Sequence, residues 1–126
     1  FLSAAYAAEI LSWRYLDPNH AASFEAGEAM SHVEGLVADL SNLGWYLVAE
    51  LDWAAWNLLD VRLVNDAHLE VDSCEMWTNN YYSLQGDNLV RSDAPLLTPQ
   101  TVTIERLGTD WRITRYTFYD PPHFCR

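Results

Sequence analysis

The chain contains no lysine; its seven basic residues are all arginines and face eighteen acidic ones. The resulting net charge of −11 argues against binding to nucleic acid or to an anionic membrane surface, because an acidic body repels phosphate. No apolar run approaches the ~20 residues of a membrane-spanning helix, and the longest candidate, 45–59, is interrupted by charges. We therefore expect no nucleic-acid partner and no direct insertion of this segment into a membrane.

The sequence also lacks the common catalytic and cofactor motifs. Its five glycines are too scattered for a phosphate-binding loop, and no serine lies in a Gly-x-Ser-x-Gly elbow. The four histidines (His20, His32, His68 and His123) show no spacing typical of metal ligands. We expect no cofactor, no metal site and no catalytic residues, so an enzyme is the less favoured class, although these absences remove only its common forms.

Cysteine is rare as well. The chain has two cysteines, Cys74 and Cys125, which lie 51 positions apart. Two cysteines are too few for a disulfide framework, and these two do not form a Cys-x-x-Cys pair. Two alternatives stay open: two unrelated buried thiols, or one disulfide that ties the C-terminal tail to a central strand. A disulfide would indicate an oxidising compartment, and an extracytoplasmic location is favoured on that ground alone.

Aromatic and apolar residues are abundant. The chain is 50% hydrophobic and holds six tryptophans, seven tyrosines and four phenylalanines, which excludes intrinsic disorder. A length of 126 residues fits one domain with its own core. We expect residues 1–126 to form a single domain, and the start at Phe1 in place of Met suggests a piece of a longer protein.

Hydrophobic periodicity predicts helices in the first third of the chain. An apolar spacing of i, i+4, i+7 predicts a helix over 3–16, and residues 19–30 fit a short helix less clearly. A second helix is predicted from Ser31 to Gly44, because Ser31 and Glu34 have the spacing of a capping box.

The period changes from 3.6 to 2 after Gly44, which predicts strands. The predicted strands are 47–53, 59–63, 68–77, 99–107 and 111–119, with a hairpin or long loop over 79–93. Helices followed by strands indicate an α+β class, with the N-terminal helices packed on an antiparallel sheet of four to six strands.

Particular segments carry a resemblance to a known superfamily. They are the first helix with Trp13, the step from Leu43-Gly44 into Trp45-Tyr46-Leu47, Asp60–Val64, Leu69-Glu70-Val71 followed by Trp77, and Thr101–Arg106 with Trp111-Arg112-Ile113. In this order they resemble the nuclear-transport-factor-2-like (cystatin-like) superfamily, which includes ketosteroid isomerase and scytalone dehydratase. More narrowly, the chain is similar to the intermembrane-space-domain family of plastid division proteins and its bacterial relatives.

This resemblance implies a strongly bent, cone-like sheet that wraps around the first helix and leaves a pocket at its wide end. The narrower family is linked to protein–protein contacts, often as the terminal domain of a larger membrane-anchored protein. It implies no catalytic residues that could be carried over to this chain.

The aromatic residues suggest where a partner would bind. One interpretation is plain core packing; the other is a contact surface, since Trp and Tyr dominate ligand clefts and interface hot spots. The candidate binding residues are Trp56, Trp77, Tyr81, Tyr82, Trp111 and Tyr46. Trp56, and also Trp77 unless its strand contains a bulge, are expected on the face of the sheet that points away from the core. We therefore expect a non-enzymatic protein-binding or assembly module, which acts through an aromatic sheet face or the cone mouth and is capable of self-association through the sheet.

The alternative is a small-molecule site inside the cone, either for an apolar ligand or as a lyase or isomerase. Asp52 or Asp72 would be the base and a tyrosine the proton donor, although strand alternation turns Asp52 outward. An open cone with one buried, tyrosine-bonded carboxylate would favour this alternative and count decisively against the binding module, whereas a filled cone with outward Asp52 and Asp72 would exclude an enzyme. A purely structural spacer predicts neither a pocket nor an aromatic patch.

Charge is distributed unevenly along the chain. No basic residue lies between Arg14 and Arg62, a segment with eight acidic residues. It is either a solvated helical face or an acidic patch for a basic partner or a cation.

Overall fold

The computed structural model describes residues 1–125 and has two helices followed by five strands. The elements are α1 (Leu2–Tyr15), a 3₁₀ turn (Pro18–Ala21), α2 (Gly27–Leu43), β1 (Trp45–Leu51), β2 (Asn57–Asn65), β3 (His68–Ser83), β4 (Leu89–Leu107) and β5 (Asp110–Phe118). The predicted α+β class, with N-terminal helices and an antiparallel sheet, is confirmed.

The sixteen-residue strand β3 organises the sheet. One of its edges pairs with β2 along its first half and with β1 along its second half, and its other edge pairs with β4, beyond which lies β5. The register between β3 and β4 shifts after Trp77, and such irregularities increase strand bending. The sheet curls into a half-barrel, which confirms the bent sheet that the resemblance implied.

Helix α2 begins four residues earlier than the capping box predicts. Its first residue is Gly27, so Ser31 lies inside the helix and that prediction is wrong. The reason is a tertiary contact: Glu25 forms a parallel bridge with Ile113 of β5, and the Ala26 amide donates to the Ile113 carbonyl at 2.9 Å. This contact fixes the chain in extended form immediately before the helix. The predicted end is confirmed, since Gly44 caps α2 with φ of 71°.

The hairpin between β3 and β4 is tighter than the predicted loop over 79–93. Both strands continue through most of that range, and the turn occupies only 84–88. Gly86 and Asp87 have positive φ there, and the Ser83 amide donates to the Asn88 carbonyl at 2.8 Å. Tyr81 and Tyr82 extend β3 because aromatic residues favour strands.

The core consists of two apolar clusters. One lies at the start of α1 and is built on Leu2, Ala5, Ala29, Val71, Val102, Ile104 and Ile113. The other lies at the end of α1 and is built on Trp13, Val37, Leu40, Leu47 and Ala49. Tyr6 contacts the indole of Trp56 beside the first cluster and that of Trp77 beside the second, so it lies between them.

The C-terminal tail returns to β3, where Cys74 and Cys125 are bonded with their Cα atoms 5.6 Å apart. Of the two alternatives that the sequence leaves open, the structure contains the disulfide. None of the helices within residues 1–125 is long and apolar enough to cross a bilayer.

Candidate functional site

A cavity of about 430 Å³ lies between α1, α2 and the inner face of the curled sheet, and it is partly open to solvent. Its walls are mostly apolar and aromatic and include Trp13, Leu36, Leu47, Trp77, Leu97 and Phe118. Both the volume and the lining are typical of ligand clefts, which place a few polar groups among apolar walls.

Glu75 lies behind the cavity and gathers four hydrogen bonds. Its Oε2 accepts from Tyr6 at 2.6 Å, Gln100 at 2.6 Å and Ser73 at 2.8 Å, and its Oε1 accepts from the Trp77 indole at 2.8 Å. The residue is only 1% exposed, and no arginine within residues 1–125 pairs with it. Four neutral donors thus solvate a buried carboxylate.

This arrangement orients the cavity lining. Glu75 itself does not line the cavity, whereas Tyr6, Trp77 and Gln100 do. Burial, and then the negative charge of Glu75, raises the pKa of Tyr6, so its hydroxyl remains a proton-bearing donor. Because its oxygens already accept four bonds, Glu75 positions these three side chains and has little capacity to take a proton from a ligand.

A second buried carboxyl, Glu9, does line the cavity. The Tyr116 hydroxyl donates to its Oε1 at 2.6 Å. Burial raises the pKa of Glu9 well above its ordinary value, and the neighbouring Glu25 raises it further; burial likewise raises the pKa of Glu25. Both Glu25 oxygens are buried and have no hydrogen-bond partner among residues 1–125, and a protonated Glu9 beside them could donate to one.

Hydrogen-bonded polar side chains therefore form the floor of the cavity. The donor protons of Tyr6, Gln100 and Tyr116 are already engaged with Glu75, Tyr6 and Glu9, so these groups offer a ligand their remaining acceptor sites. Burial raises the pKa of Tyr116 as well. No cluster of potential metal ligands is present within the described residues. The cavity can therefore bind an apolar group that carries a hydrogen-bonding atom.

The six aromatic residues predicted to bind a partner do not lie together. Trp77 and Tyr81 line the cavity, and Trp56 and Trp111 line a separate apolar groove beside Phe1. Tyr46 and Tyr82 stack on each other at 5.4 Å and do not line the cavity, and the Arg14 guanidinium lies over the Tyr46 ring.

The expectation that Trp56 and Trp77 point away from the core is wrong. Both indoles contact the buried Tyr6 ring, at centroid distances of 5.6 and 6.1 Å, and Trp56 donates to Ser73. Trp77 lies two residues after Glu75, and alternate residues of a strand share a face, so both point inward.

The carboxylates considered as bases lie outside the cavity. Asp52 is exposed and accepts from the Ala54 amide in the turn after β1. Asp72 is paired with Arg62 at 2.7 Å, and the hydrogen bond from this arginine lowers its pKa. Neither can act on a ligand in the cone.

The polar groups of the cavity are not among the residues predicted from the sequence, although the positions of Glu9 and Glu75 on otherwise buried faces could have indicated them. Tyr6, Glu9 and Trp13 continue the apolar face of α1 at i, i+3 and i+7, which places Glu9 on the buried side. Ser73, Glu75 and Trp77 extend the inward alternation of β3 in the same way. In each element the acidic residue lies on the face defined by its apolar neighbours.

Comparison with known proteins gives matches at the level of structure. No protein-family model matches the sequence, and no curated protein matches it. The intermembrane space region of the chloroplast protein ARC6 is similar at a TM-score of 0.77 with 14% identity, over 93% of this chain and 89% of that one. Hexachlorocyclohexane dehydrochlorinase LinA-type3 from Novosphingobium barchaimii is similar at 0.56 with 13% identity, over 99% and 92%.

A ketosteroid isomerase-like protein from Erwinia carotovora atroseptica is similar at a TM-score of 0.52 with 11% identity, over 94% of each chain. Likeness at such low identity shows the fold, and function must be argued from the site. The chain therefore has the cone fold of the nuclear-transport-factor-2-like proteins, as the resemblance implied.

Proposed function

We propose that this domain is a non-enzymatic binding module that takes an apolar side chain of a partner polypeptide into the mouth of the cone. The single observation that carries the proposal is the open cavity of about 430 Å³ with aromatic walls. Desolvation of an aliphatic or aromatic side chain there would contribute about 1.5–3 kcal/mol.

The rim of the cavity favours a polypeptide over a small molecule. Leu96 and Phe118 belong to the lining but are 60% and 54% exposed, so apolar surface continues outward beyond the cavity. Strand β5 pairs with β4 only from Gln100 onward, which leaves the 91–97 stretch of β4 without a strand on its outer edge among residues 1–125. An extended segment could add to that edge while one of its side chains enters the cavity.

Charge indicates the composition of the partner. The domain carries −11, and Asp120 lies among the residues that line the cavity. A basic segment with one apolar anchor would be attracted to this surface, and its association would slow as salt is added.

The floor of the cavity meets the condition that favours the enzyme alternative, since the cone is open and the buried Glu9 is bonded to the Tyr116 hydroxyl. Binding is nevertheless preferred, because burial and Glu25 raise the pKa of the carboxyl that lines the floor, Glu9, and so favour its protonated form, while Glu75 already accepts four hydrogen bonds. A general base needs an ionised carboxylate within reach of the ligand. The floor does fit a small apolar molecule with one polar atom, which makes such a ligand the second candidate.

A neutral fluorescent probe and a peptide library test the proposal together. N-phenyl-1-naphthylamine should gain emission on entering the cavity, and basic peptides selected from a random library should share an apolar anchor and displace it. Leu97→Trp, which fills the cavity, should abolish both effects. Leu107→Trp, at the exposed end of β4, is the matched control and should preserve them.

Each remaining outcome discriminates between the candidates. If Leu97→Trp abolishes probe binding but no peptide is enriched, the small apolar ligand becomes the favoured occupant of the cavity and the polypeptide partner is rejected. Probe binding that is unchanged in Leu97→Trp would contradict a site in the cone.

A further inference from the structure

Strand β2 is an edge strand of the sheet, and among the described residues only its Leu58 end shares a groove with the start of α1. Within residues 1–125 it contacts one other helix or strand, β3, and its second edge is unpaired. Eight of its nine residues are exposed. Five of those are large apolar residues, 45–67% exposed: Leu58, Leu59, Val61, Leu63 and Val64. A long apolar edge of this kind is a template for pairing with another chain, and most proteins block it.

The sequence of β2 is chemically palindromic about Val61. Asn57 mirrors Asn65, Leu58 mirrors Val64, Leu59 mirrors Leu63, and Asp60 mirrors Arg62. An antiparallel pair of identical strands related by a twofold axis places each residue opposite its mirror position. If that axis passes through Val61, each apolar residue of one strand therefore faces an apolar residue of the other, and Asp60 faces Arg62.

We propose that β2 pairs antiparallel with β2 of a second copy of this chain, about a twofold axis at Val61. In this register Asp60 of each copy faces Arg62 of the other, and the two Val61 side chains meet at the axis. The result is a closed dimer in which the two sheets join into one.

Charge selects this register over its neighbours. Shifting the axis to Asp60 would place two carboxylates opposite each other, and shifting it to Arg62 would place two guanidinium groups opposite each other. A parallel, in-register pair would do both. Directly opposed like charges are destabilising, whereas opposite charges stabilise a cross-strand pair.

Arg62 is held in place before any partner arrives. Its guanidinium bonds to the carboxylate of Asp60 on β2 at 2.8 Å and to the carboxylate of Asp72 on β3 at 2.7 Å. Asp60 itself remains 56% exposed, so its carboxylate is open to a second guanidinium. The register of β2 with β3 is regular from Asp60 to Leu63, which is the part of the strand where these central pairs form.

The surface is separate from the cone cavity, since no residue of β2 lines that cavity. The two proposals can therefore fail independently. Leu97→Trp should block the cavity and leave the dimer intact.

Sedimentation equilibrium of the whole chain tests the dimer. The wild type should shift with concentration from 14.4 kDa to twice that mass. Val61→Lys and Val61→Glu should each weaken association more than tenfold, because each variant meets its own charge at the axis. Val61 is 59% exposed, so neither change should alter the melting temperature much. Leu89→Lys, at a comparably exposed apolar residue of β4, should associate as the wild type does.

An equal mixture of the Val61→Lys and Val61→Glu variants gives the most specific result. The introduced lysine of one copy would then face the introduced glutamate of the other at the axis, and association should return. A wild type that stays at 14.4 kDa up to about 1 mM, where binding would be worth only ~4 kcal/mol, overturns the proposal. Equal weakening by Leu89→Lys, or a mixture that fails to recover, overturns it too.

Discussion

Replacing Glu9 with glutamine should make the protein more stable at high pH, although it removes an acid from an already acidic chain. Burial and Glu25 raise the pKa of Glu9, so the folded protein keeps a proton that the unfolded chain has already released. Unfolding then releases a proton, and stability falls as the pH rises above the pKa of the unfolded chain. Glutamine mimics the protonated acid: its oxygen can accept from Tyr116 and its amide can donate toward Glu25.

The size of the effect follows from linkage. One carboxyl contributes at most about 1.4 kcal/mol for each pH unit between its unfolded and folded pKa values. Urea unfolding from about pH 5 to about pH 8 should show wild-type stability decreasing with pH and a flatter slope in Glu9→Gln. The curves should separate with the variant above the wild type as pH rises.

Glu34→Gln is the matched control, because Glu34 is exposed on α2 and its neutralisation should leave the slope unchanged. Parallel curves for the wild type and Glu9→Gln would show that Glu9 does not carry a raised pKa in the folded protein. So would a variant less stable than the wild type at every pH, which would mean that the ionised form of Glu9 is the one that the fold accommodates.

Three further predictions concern other parts of the structure. Trp77→Phe removes the indole donor to Glu75 and should lower the free energy of unfolding by about 2 kcal/mol, measured by urea unfolding; no loss would mean that this hydrogen bond is not formed. Titration of the denatured, unreduced protein should find no free thiol, and the double variant Cys74→Ser/Cys125→Ser should lose ~4 kcal/mol, whereas two reactive thiols would contradict the bond. Gly44→Ala should cost about 1 kcal/mol of unfolding free energy in thermal melts, because φ is 71° there and no atom blocks the added methyl; an unchanged melting temperature would count against this cap.

The parts of the fold set by local pattern could be predicted from the sequence. The period of 3.6 located α1 and the end of α2, where Gly44 supplies the left-handed cap. Alternation located the strands of the sheet. The start of α2 could not be found in this way, because the bridge from Glu25 to Ile113 joins residues far apart in sequence and overrides the local capping signal of Ser31.

The candidate site was harder to predict for a related reason. Acidic residues are usually solvated, so the sequence pattern does not single out Glu9 and Glu75 and points instead to Asp52 and Asp72, which lie outside the cavity. The register of α1 and β3 places Glu9 and Glu75 inside, and the donors that make their burial tolerable come from distant elements. Tyr116 is 107 residues from Glu9 in sequence. Gln100 is 25 residues from Glu75.

The most direct test of binding in the cone is the set of tryptophan indole N–H signals in a ¹⁵N-correlated spectrum during titration with N-phenyl-1-naphthylamine. Trp13 and Trp77 line the cavity, whereas Trp111 lines the separate groove and Trp53 is exposed. We expect the Trp13 and Trp77 signals to move saturably with the probe while those of Trp53 and Trp111 stay in place. Movement confined to Trp111, or no saturable movement of Trp13 and Trp77, would contradict it.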